Sequence, residues 1–157
     1  MKPSHLKPLI IIAICCLGMV VYSNTLNSSF HLDDYNSITD NPAIKNIWSP
    51  LNIWNFWPTR FITYLSLAFN YHLHKLDVSG YHLFNLAVHL GSSILVWWLM
   101  LLTFSTPALK DQKISHNAKT ISFFAGLIFV AHPIQTQAVT YIVQRAVSMA
   151  TLFYLAS

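Results

Sequence analysis

Residues 81–104 read YHLFNLAVHLGSSILVWWLMLLTF, a stretch without a single Lys, Arg, Asp or Glu. A helix needs roughly 20 apolar residues to cross a bilayer, so this stretch alone is long enough to span one. The whole chain is 54% apolar and 9% charged, whereas soluble domains carry about 25% charged residues. The sequence therefore predicts an integral membrane protein.

Three further apolar stretches accompany this one, at residues 8–23, 120–136 and 139–157. Pro133 should end or kink the third span, because proline lacks a backbone donor and disfavours helix at His132 before it. Residues 24–80 are rich in tryptophan and polar side chains, which is typical of the headgroup region. We predict an all-α, polytopic transmembrane helix bundle with short interfacial amphipathic helices in residues 24–80. We take it as the N-terminal fragment of a longer protein, since its fourth span has no polar end.

The lysines near the spans predict how the chain crosses the membrane. They precede the first span and recur two crossings later in the loop 105–119: Lys2, Lys7, Lys110, Lys113 and Lys119. Basic residues mark cytoplasmic loops, so both groups are expected on the cytoplasmic side. The N-terminus is then cytoplasmic, and residues 24–80 and 132–137 lie on the opposite side. Nine basic residues, so scattered, do not predict a nucleic-acid surface.

Asp33 and Asp34 are adjacent just beyond the first span, in a chain with five acidic residues and no Glu. Carboxylates are costly near hydrocarbon, so acids at a membrane boundary are candidates for function. Partial shielding from water raises a carboxylate's pKa and makes it a stronger base. Asp is also common as a helix cap, and both readings remain open. Two acids alone do not make a metal site, so we expect no metal or other cofactor.

Polar residues on two of the spans recur at the three- and four-residue spacing of one helix face. They are His82, Asn85, His89 and Ser92 or Ser93 on the second span, and Gln137, Tyr141, Gln144 or Arg145, and Ser148 on the fourth. Such stripes face a bundle interior or a cavity, although Ser and Asn also join neighbouring helices. Arg145 could bind phosphate or extend towards the interface. Residues 95–100 are wholly apolar, which argues against a transport path.

Several of these residues lie in motifs that resemble a known family. Residues 30–35 (FHLDDY), Arg60, residues 80–85 (GYHLFN) and His89 resemble the first exterior loop and following helix of GT-C-type glycosyltransferases. Residues 131–145 (AHPIQTQAVTYIVQR) are similar to the transmembrane and tetratricopeptide-repeat O-mannosyltransferases and their bacterial relatives.

This resemblance implies a multi-span enzyme that takes a mannose-like sugar from a polyprenyl-phosphate carrier on the outer face. The sugar passes, with inversion, to a hydroxyl of a protein or glycan acceptor. Asp33 would be the catalytic base, and Asp34 would assist it or act as a cap. From their charge we expect His132 and Arg145 to approach the carrier phosphate. The expected substrate-binding set is Arg60, His82, His89, His132, Gln137 and Arg145.

Some relatives have His and Glu at the positions of Gln135 and Gln137, so an acid role at Gln137 is absent here. The resemblance also implies later spans and a repeat domain, and we favour a bacterial inner membrane over the endoplasmic reticulum. In a transferase, Asp33 and Arg145 should line one cavity open to the outer face. The alternatives are a non-catalytic scaffold or assembly protein for envelope glycans and, from a third class, a transporter fragment.

Overall fold

The structure, a computed structural model, describes residues 6–157, so Lys2 lies outside the described residues. The described part is made of helices and turns without any β-strand, as predicted. The α-helices are α1 (Leu6–Val21), α2 (Pro50–Phe56), α3 (Phe61–His74), α4 (Val78–Phe104), α5 (Ala118–Ala131), α6 (Thr136–Thr140) and α7 (Arg145–Ala156). Shorter 3₁₀ turns lie at Ser23–Asn27, Pro42–Lys45, Pro58–Arg60, Lys113–Asn117, Pro133–Gln135 and Ile142–Gln144, with a π turn at Tyr35–Thr39.

Two helical segments are long and apolar enough to cross a membrane, namely α4 and the segment Lys113–Ala131 that contains α5. Pro133–Thr140 and Ile142–Ala156 would make a third span if counted together, but they are bent by 102°. The apolar helix α1 has 16 residues. The predicted fourth span, residues 139–157, contains this bend near its start, at Tyr141.

Helices α1, α4 and α5 pack around a shared core of Ile14, Trp97 and Val130. Gly126 lets them approach closely, since a Cβ there would lie 3.0 Å from Ile14 and 3.2 Å from Trp97. Small residues have this role at helix interfaces in membranes. The end of α5 meets the first half of α4, where His89 contacts the Val130 carbonyl. Thus α4 and α5 are antiparallel.

These directions separate the lysines from the aspartate pair. Lys7 shares a crevice with Ser105 at the C-terminal end of α4, and Lys119 lies in another crevice against the start of α1. The first loop meets the opposite end of α4, where His82 is 2.9 Å from the Ser28 carbonyl oxygen. The lysines and the first loop therefore lie at opposite ends of the helix bundle, as the predicted topology requires.

The region between α1 and α4 has its own small core. Its buried members are Phe30, Ile38, Ile44, Ile53, Tyr64, Leu67, Ala68, Tyr81 and Ile142. The predicted short helices are present here, and large apolar side chains at their surface, such as Trp48 and Leu51, are 83% and 67% exposed. Exposed tryptophan is typical of a membrane interface.

Local sequence sets two of the helix ends. Helix α4 begins three residues before the expected Tyr81, because Asp77 caps it and accepts hydrogen bonds from the Ser79 backbone N–H (3.0 Å) and hydroxyl (2.8 Å). Helix α5 stops before the His132–Pro133 bond, where His132 is extended with a ψ of 128°. The predicted effect of Pro133 is confirmed.

The connector between α5 and α7 breaks at Tyr141, which is extended with φ −91° and ψ 113°. A helix break leaves carbonyl groups without their usual intrahelical donors. Asn85 on α4 supplies a donor, because its Nδ2 is 3.4 Å, 3.5 Å and 3.3 Å from the carbonyl oxygens of Val139, Tyr141 and Ile142. This single amide ties the break to α4.

Arg145, the first residue of α7, is fully buried against the same amide. Its Nε donates to Asn85 Oδ1 at 2.7 Å, its Nη2 to the Tyr81 carbonyl at 3.0 Å and its Nη1 to the Ser66 hydroxyl at 3.3 Å. The Phe84 ring lies 4.3 Å from the guanidinium carbon. All these partners are uncharged, so Arg145 is held by hydrogen bonds and an aromatic face.

Asn85→Ala should therefore lower the free energy of unfolding by about 1.5–3 kcal/mol, because it deprives a buried cation of its shortest hydrogen bond. Asn55→Ala is the matched control, since Asn55 is exposed on α2. Both can be measured by circular dichroism during thermal unfolding in detergent micelles. Equal midpoints for the two variants would contradict the role given to Asn85.

Candidate functional site

A cleft of about 640 Å³ lies between the first loop and the connector. Its lining residues are Ser28, Ser29, Phe30, His31, Leu32, Tyr35, Gln137, Thr140 and Tyr141. Pockets for small ligands have volumes of roughly 300–1,000 Å³, so this one can hold a sugar. Most of its polar groups are hydroxyl, amide and imidazole groups, which can hydrogen-bond a polyol.

Asp33 is exposed, and it adjoins the cleft through its neighbour Leu32, although Asp33 itself is not a lining residue. The residue before it, Leu32, has a φ of 46°, a left-handed conformation that is uncommon outside glycine. The backbone N–H of Asp33 donates a hydrogen bond to the Tyr141 hydroxyl at 3.1 Å. Asp33 thus adjoins two residues that line the cleft: Leu32 precedes it in the chain, and Tyr141 contacts its backbone.

Asp34 has the opposite environment and is only 1% exposed. Its Oδ2 accepts from the His31 N–H at 3.0 Å, and its Oδ1 accepts from the Val143 N–H at 3.0 Å. Burial raises the pKa of Asp34, although these two N–H groups act to lower it. Asp34 therefore fastens the first loop to the connector, with both carboxylate oxygens in use.

The two histidines of the second-span stripe are buried, as predicted, and bind backbone carbonyl groups. His82 Nε2 donates to the Ser28 carbonyl at 2.9 Å, and His89 Nε2 donates to the Val130 carbonyl at 3.1 Å. The His89 ring also stacks on Phe129, with 5.4 Å between centroids. Each of these histidine side chains therefore joins α4 to another segment of the chain by a hydrogen bond to a backbone carbonyl.

The other predicted substrate-binding residues do not form one group. Gln137 lines the cleft. His132 is exposed, and its Nδ1 accepts from the Ile134 N–H at 3.2 Å. Arg60 is also exposed, and its guanidinium carbon lies 4.7 Å from the centre of the Trp57 ring. Arg60 lines a separate cavity of about 350 Å³ against α7.

Arg145 does not share an open cavity with Asp33, contrary to expectation. Its side chain is fully buried, and each of its three nitrogen atoms has a protein partner. Of the predicted stripe on the fourth span, Arg145 and Ser148 are buried, whereas Gln137 is exposed, because the bend at Tyr141 divides the stripe. The interior that Arg145 meets is α4 and α3, packed without room for a phosphate.

Sequence reasoning assigned no site role to Tyr141, which lines the cleft and contacts Asp33. A signal was present in residues 139–143 (VTYIV), a run of β-branched and aromatic residues that lowers helix propensity. That run marks the break that turns Tyr141 towards the cleft. Within residues 6–157 no three His, Cys or acidic side chains come close enough to form a metal-ligand set.

Asp34→Asn should destabilise the protein by about 1–3 kcal/mol. The oxygen of the new amide can accept from only one of the two N–H groups, of His31 and Val143, and its NH₂ group then faces the other N–H, donor against donor. Asp33→Asn is the matched control, since that exposed neighbour should leave the thermal midpoint unchanged. Thermal unfolding in micelles measures both. A larger loss for Asp33→Asn would reverse the assignment of the two residues.

The chain is similar to several curated proteins over most of its length. It is 33% identical to protein O-mannosyl-transferase Tmtc3 of Drosophila melanogaster, over 93% of this chain and 18% of that protein. It is 32% identical to TMTC2 of Mus musculus, over 90% of this chain and 17% of the relative. It is 32% identical to TMTC3 of Homo sapiens, over 87% of this chain and 15% of the relative. This chain thus spans less than a fifth of the length of these three relatives.

No family model and no solved structure matches the chain. The relatives named here are eukaryotic, so they do not support the bacterial inner membrane that the sequence analysis favoured. The apolar helices of this chain and its similarity to these relatives indicate a membrane protein. The resemblance inferred from the motifs is confirmed: over about nine-tenths of its length, the chain is similar to the protein O-mannosyl-transferases of animals.

Proposed function

We propose that the chain is part of a membrane glycosyltransferase that moves a mannose-like sugar from a polyprenyl-phosphate carrier to a protein hydroxyl. The observation that carries the proposal is an exposed carboxylate, Asp33, beside a sugar-sized cleft. The similarity to protein O-mannosyl-transferases supports the reaction class. The cleft lies at the end of the bundle remote from Lys7 and Lys119, so the proposal assigns it to the non-cytoplasmic side.

In the proposed step, the acceptor hydroxyl oxygen attacks the anomeric carbon of the sugar. The hydroxyl proton passes to the Asp33 carboxylate while the bond between that carbon and the phosphate oxygen breaks. The carrier phosphate leaves with the bonding electron pair, and attack from the opposite side inverts the anomeric centre. General-base catalysis of this kind contributes about 10²–10⁴ in rate.

Asp33 suits the role of base better than Asp34 does. A general base has to come within hydrogen-bond distance of the proton that it removes. Asp34 is 1% exposed, and both of its oxygens accept backbone N–H groups. Its raised pKa therefore reflects burial at a structural contact, whereas Asp33 is open to an acceptor.

Asp33→Asn should lower sugar transfer at least about 100-fold, because the amide cannot accept the proton. The assay is transfer of radiolabelled mannose from polyprenyl-phosphate mannose to an acceptor polypeptide by the protein expressed from its own gene. Asp40→Asn is the control, since Asp40 is an exposed acid of the same loop. Wild-type transfer by the Asp33→Asn variant would remove Asp33 from catalysis, whereas absence of transfer by the wild-type protein would favour a non-catalytic scaffold.

We propose Arg60, in place of the buried Arg145, for the first contact with the phosphate of the lipid-linked donor. The cavity of Arg60 shares no lining residue with the cleft, so this contact precedes the transfer step. Arg60 is exposed, and the cavity that it lines continues over apolar residues of α7, namely Ala146, Met149, Ala150 and Phe153. A guanidinium beside an apolar surface matches a phosphate joined to an isoprenoid chain. Arg145 would then act as the buried residue that holds the connector in shape.

Arg60→Gln should raise the KM for the lipid-linked donor roughly tenfold or more, because a charge-assisted hydrogen bond of about 1.5–3 kcal/mol is lost. The value of kcat should change little. Lys45→Gln is the matched control, because Lys45 is an exposed cation elsewhere in the same region. An unchanged KM in Arg60→Gln would remove this residue from carrier binding.

A further inference from the structure

Tyr141 is the residue through which the connector reaches Asp33. Its side chain lines the cleft together with Gln137 and Tyr35. Its hydroxyl oxygen accepts a hydrogen bond from the Asp33 backbone N–H at 3.1 Å, across 108 positions of sequence. A phenol that accepts this bond keeps its own proton, which it can donate to another group in the cleft.

The backbone of Tyr141 is held on both sides. Its N–H donates to the Gln137 carbonyl at 3.1 Å, and its carbonyl accepts from the Gln144 N–H at 3.1 Å. The same carbonyl faces the Asn85 amide at 3.5 Å. Two residues later, the Val143 N–H donates to Asp34. The direction of the Tyr141 ring is thus set by the buried part of the connector.

The turn that carries Asp33 needs such support. Leu32 is left-handed, with a φ of 46°, and its side chain is 80% exposed. For a residue other than glycine this conformation costs about 1–2 kcal/mol, and exposure offers no packing in return. Strained residues persist where the surroundings over-determine them. Asp34 holds one side of this turn, and the Tyr141 hydroxyl holds the backbone of Asp33.

We propose that Tyr141 is a positioning residue: its hydroxyl fixes the backbone of Asp33 and thereby aims the Asp33 carboxylate across the cleft. The inference rests on the proposed function, because it assigns Asp33 the role of base. It adds a residue that acts through Asp33, and it explains why the connector beyond Pro133 takes part in the site. A misplacement of about 1 Å in a reacting group can cost as much as 100-fold in rate.

The test compares Tyr141→Phe, which removes one oxygen atom, with Tyr154→Phe, which makes the same change at an 81% exposed position of α7 outside the cleft. Backbone hydrogen exchange at Asp33, followed in micelles by NMR, reports the contact without any need for activity. We expect faster exchange at Asp33 in Tyr141→Phe alone. In the transfer assay, Tyr141→Phe should lower kcat roughly 10- to 100-fold with KM unchanged, while Tyr154→Phe leaves kcat as it is.

Unchanged exchange at Asp33 in Tyr141→Phe would overturn the inference. So would faster exchange with a wild-type kcat, provided that Asp33→Asn is inactive, and this result would leave the proposed function standing. Wild-type transfer by Asp33→Asn would overturn the base role of Asp33 and, with it, the role of Tyr141, whereas absence of transfer by the wild-type protein would overturn the proposed function itself. If Tyr141→Phe does not fold, 4-fluorophenylalanine at position 141 fills the space of the hydroxyl with an atom that is a poor acceptor. Exchange at Asp33 should then still rise.

Discussion

The contact between Asn85 and Arg145 is the constraint on which the rest of this structure depends. A charged side chain that is fully buried is costly unless hydrogen bonds replace its water. Here the guanidinium receives an amide oxygen, a backbone carbonyl and a hydroxyl, together with the face of Phe84. The other end of the Asn85 amide meets the carbonyl groups that the helix break exposes. One asparagine therefore serves both groups. Its amide oxygen accepts from the Arg145 guanidinium, and its amide nitrogen donates to carbonyl groups at the helix break.

This interior contact determines the shape of the exposed cleft. The hydrogen bond between Arg145 and Asn85 fixes the position along α4 at which the connector crosses it. In that position the Val143 N–H faces the first loop. Asp34 binds that N–H, although 109 positions of sequence separate the two residues. The resulting loop geometry leaves Asp33 outside and exposed. A buried arginine can thus determine the shape of a surface cleft that it does not line, because it determines where the connector lies.

Much of this arrangement could be predicted from composition and spacing. The absence of charge in residues 81–104 predicted α4, Pro133 predicted the end of α5, and the buried stripe of His82, Asn85 and His89 followed from helical periodicity. The bend of 102° could not be predicted in this way, since periodicity carries no information about direction beyond a break. The partners of Arg145 also remained hidden, because they lie on two other helices. The roles of Asp33 and Asp34 stayed open for the same reason.

Two chemically identical neighbours differ here because of the backbone between His31 and Tyr35. Consecutive residues of a helical turn point in directions about 100° apart, so a turn at a protein surface buries one and exposes the next. The left-handed Leu32 starts that turn, and the hydrogen bond from the Asp34 N–H to the His31 carbonyl, 2.9 Å long, closes it. Burial then commits Asp34 to backbone N–H groups and leaves the Asp33 side chain exposed. Substitutions at the two positions should therefore have different effects, since the Asp34 carboxylate holds the loop in place and the Asp33 carboxylate is exposed beside the cleft.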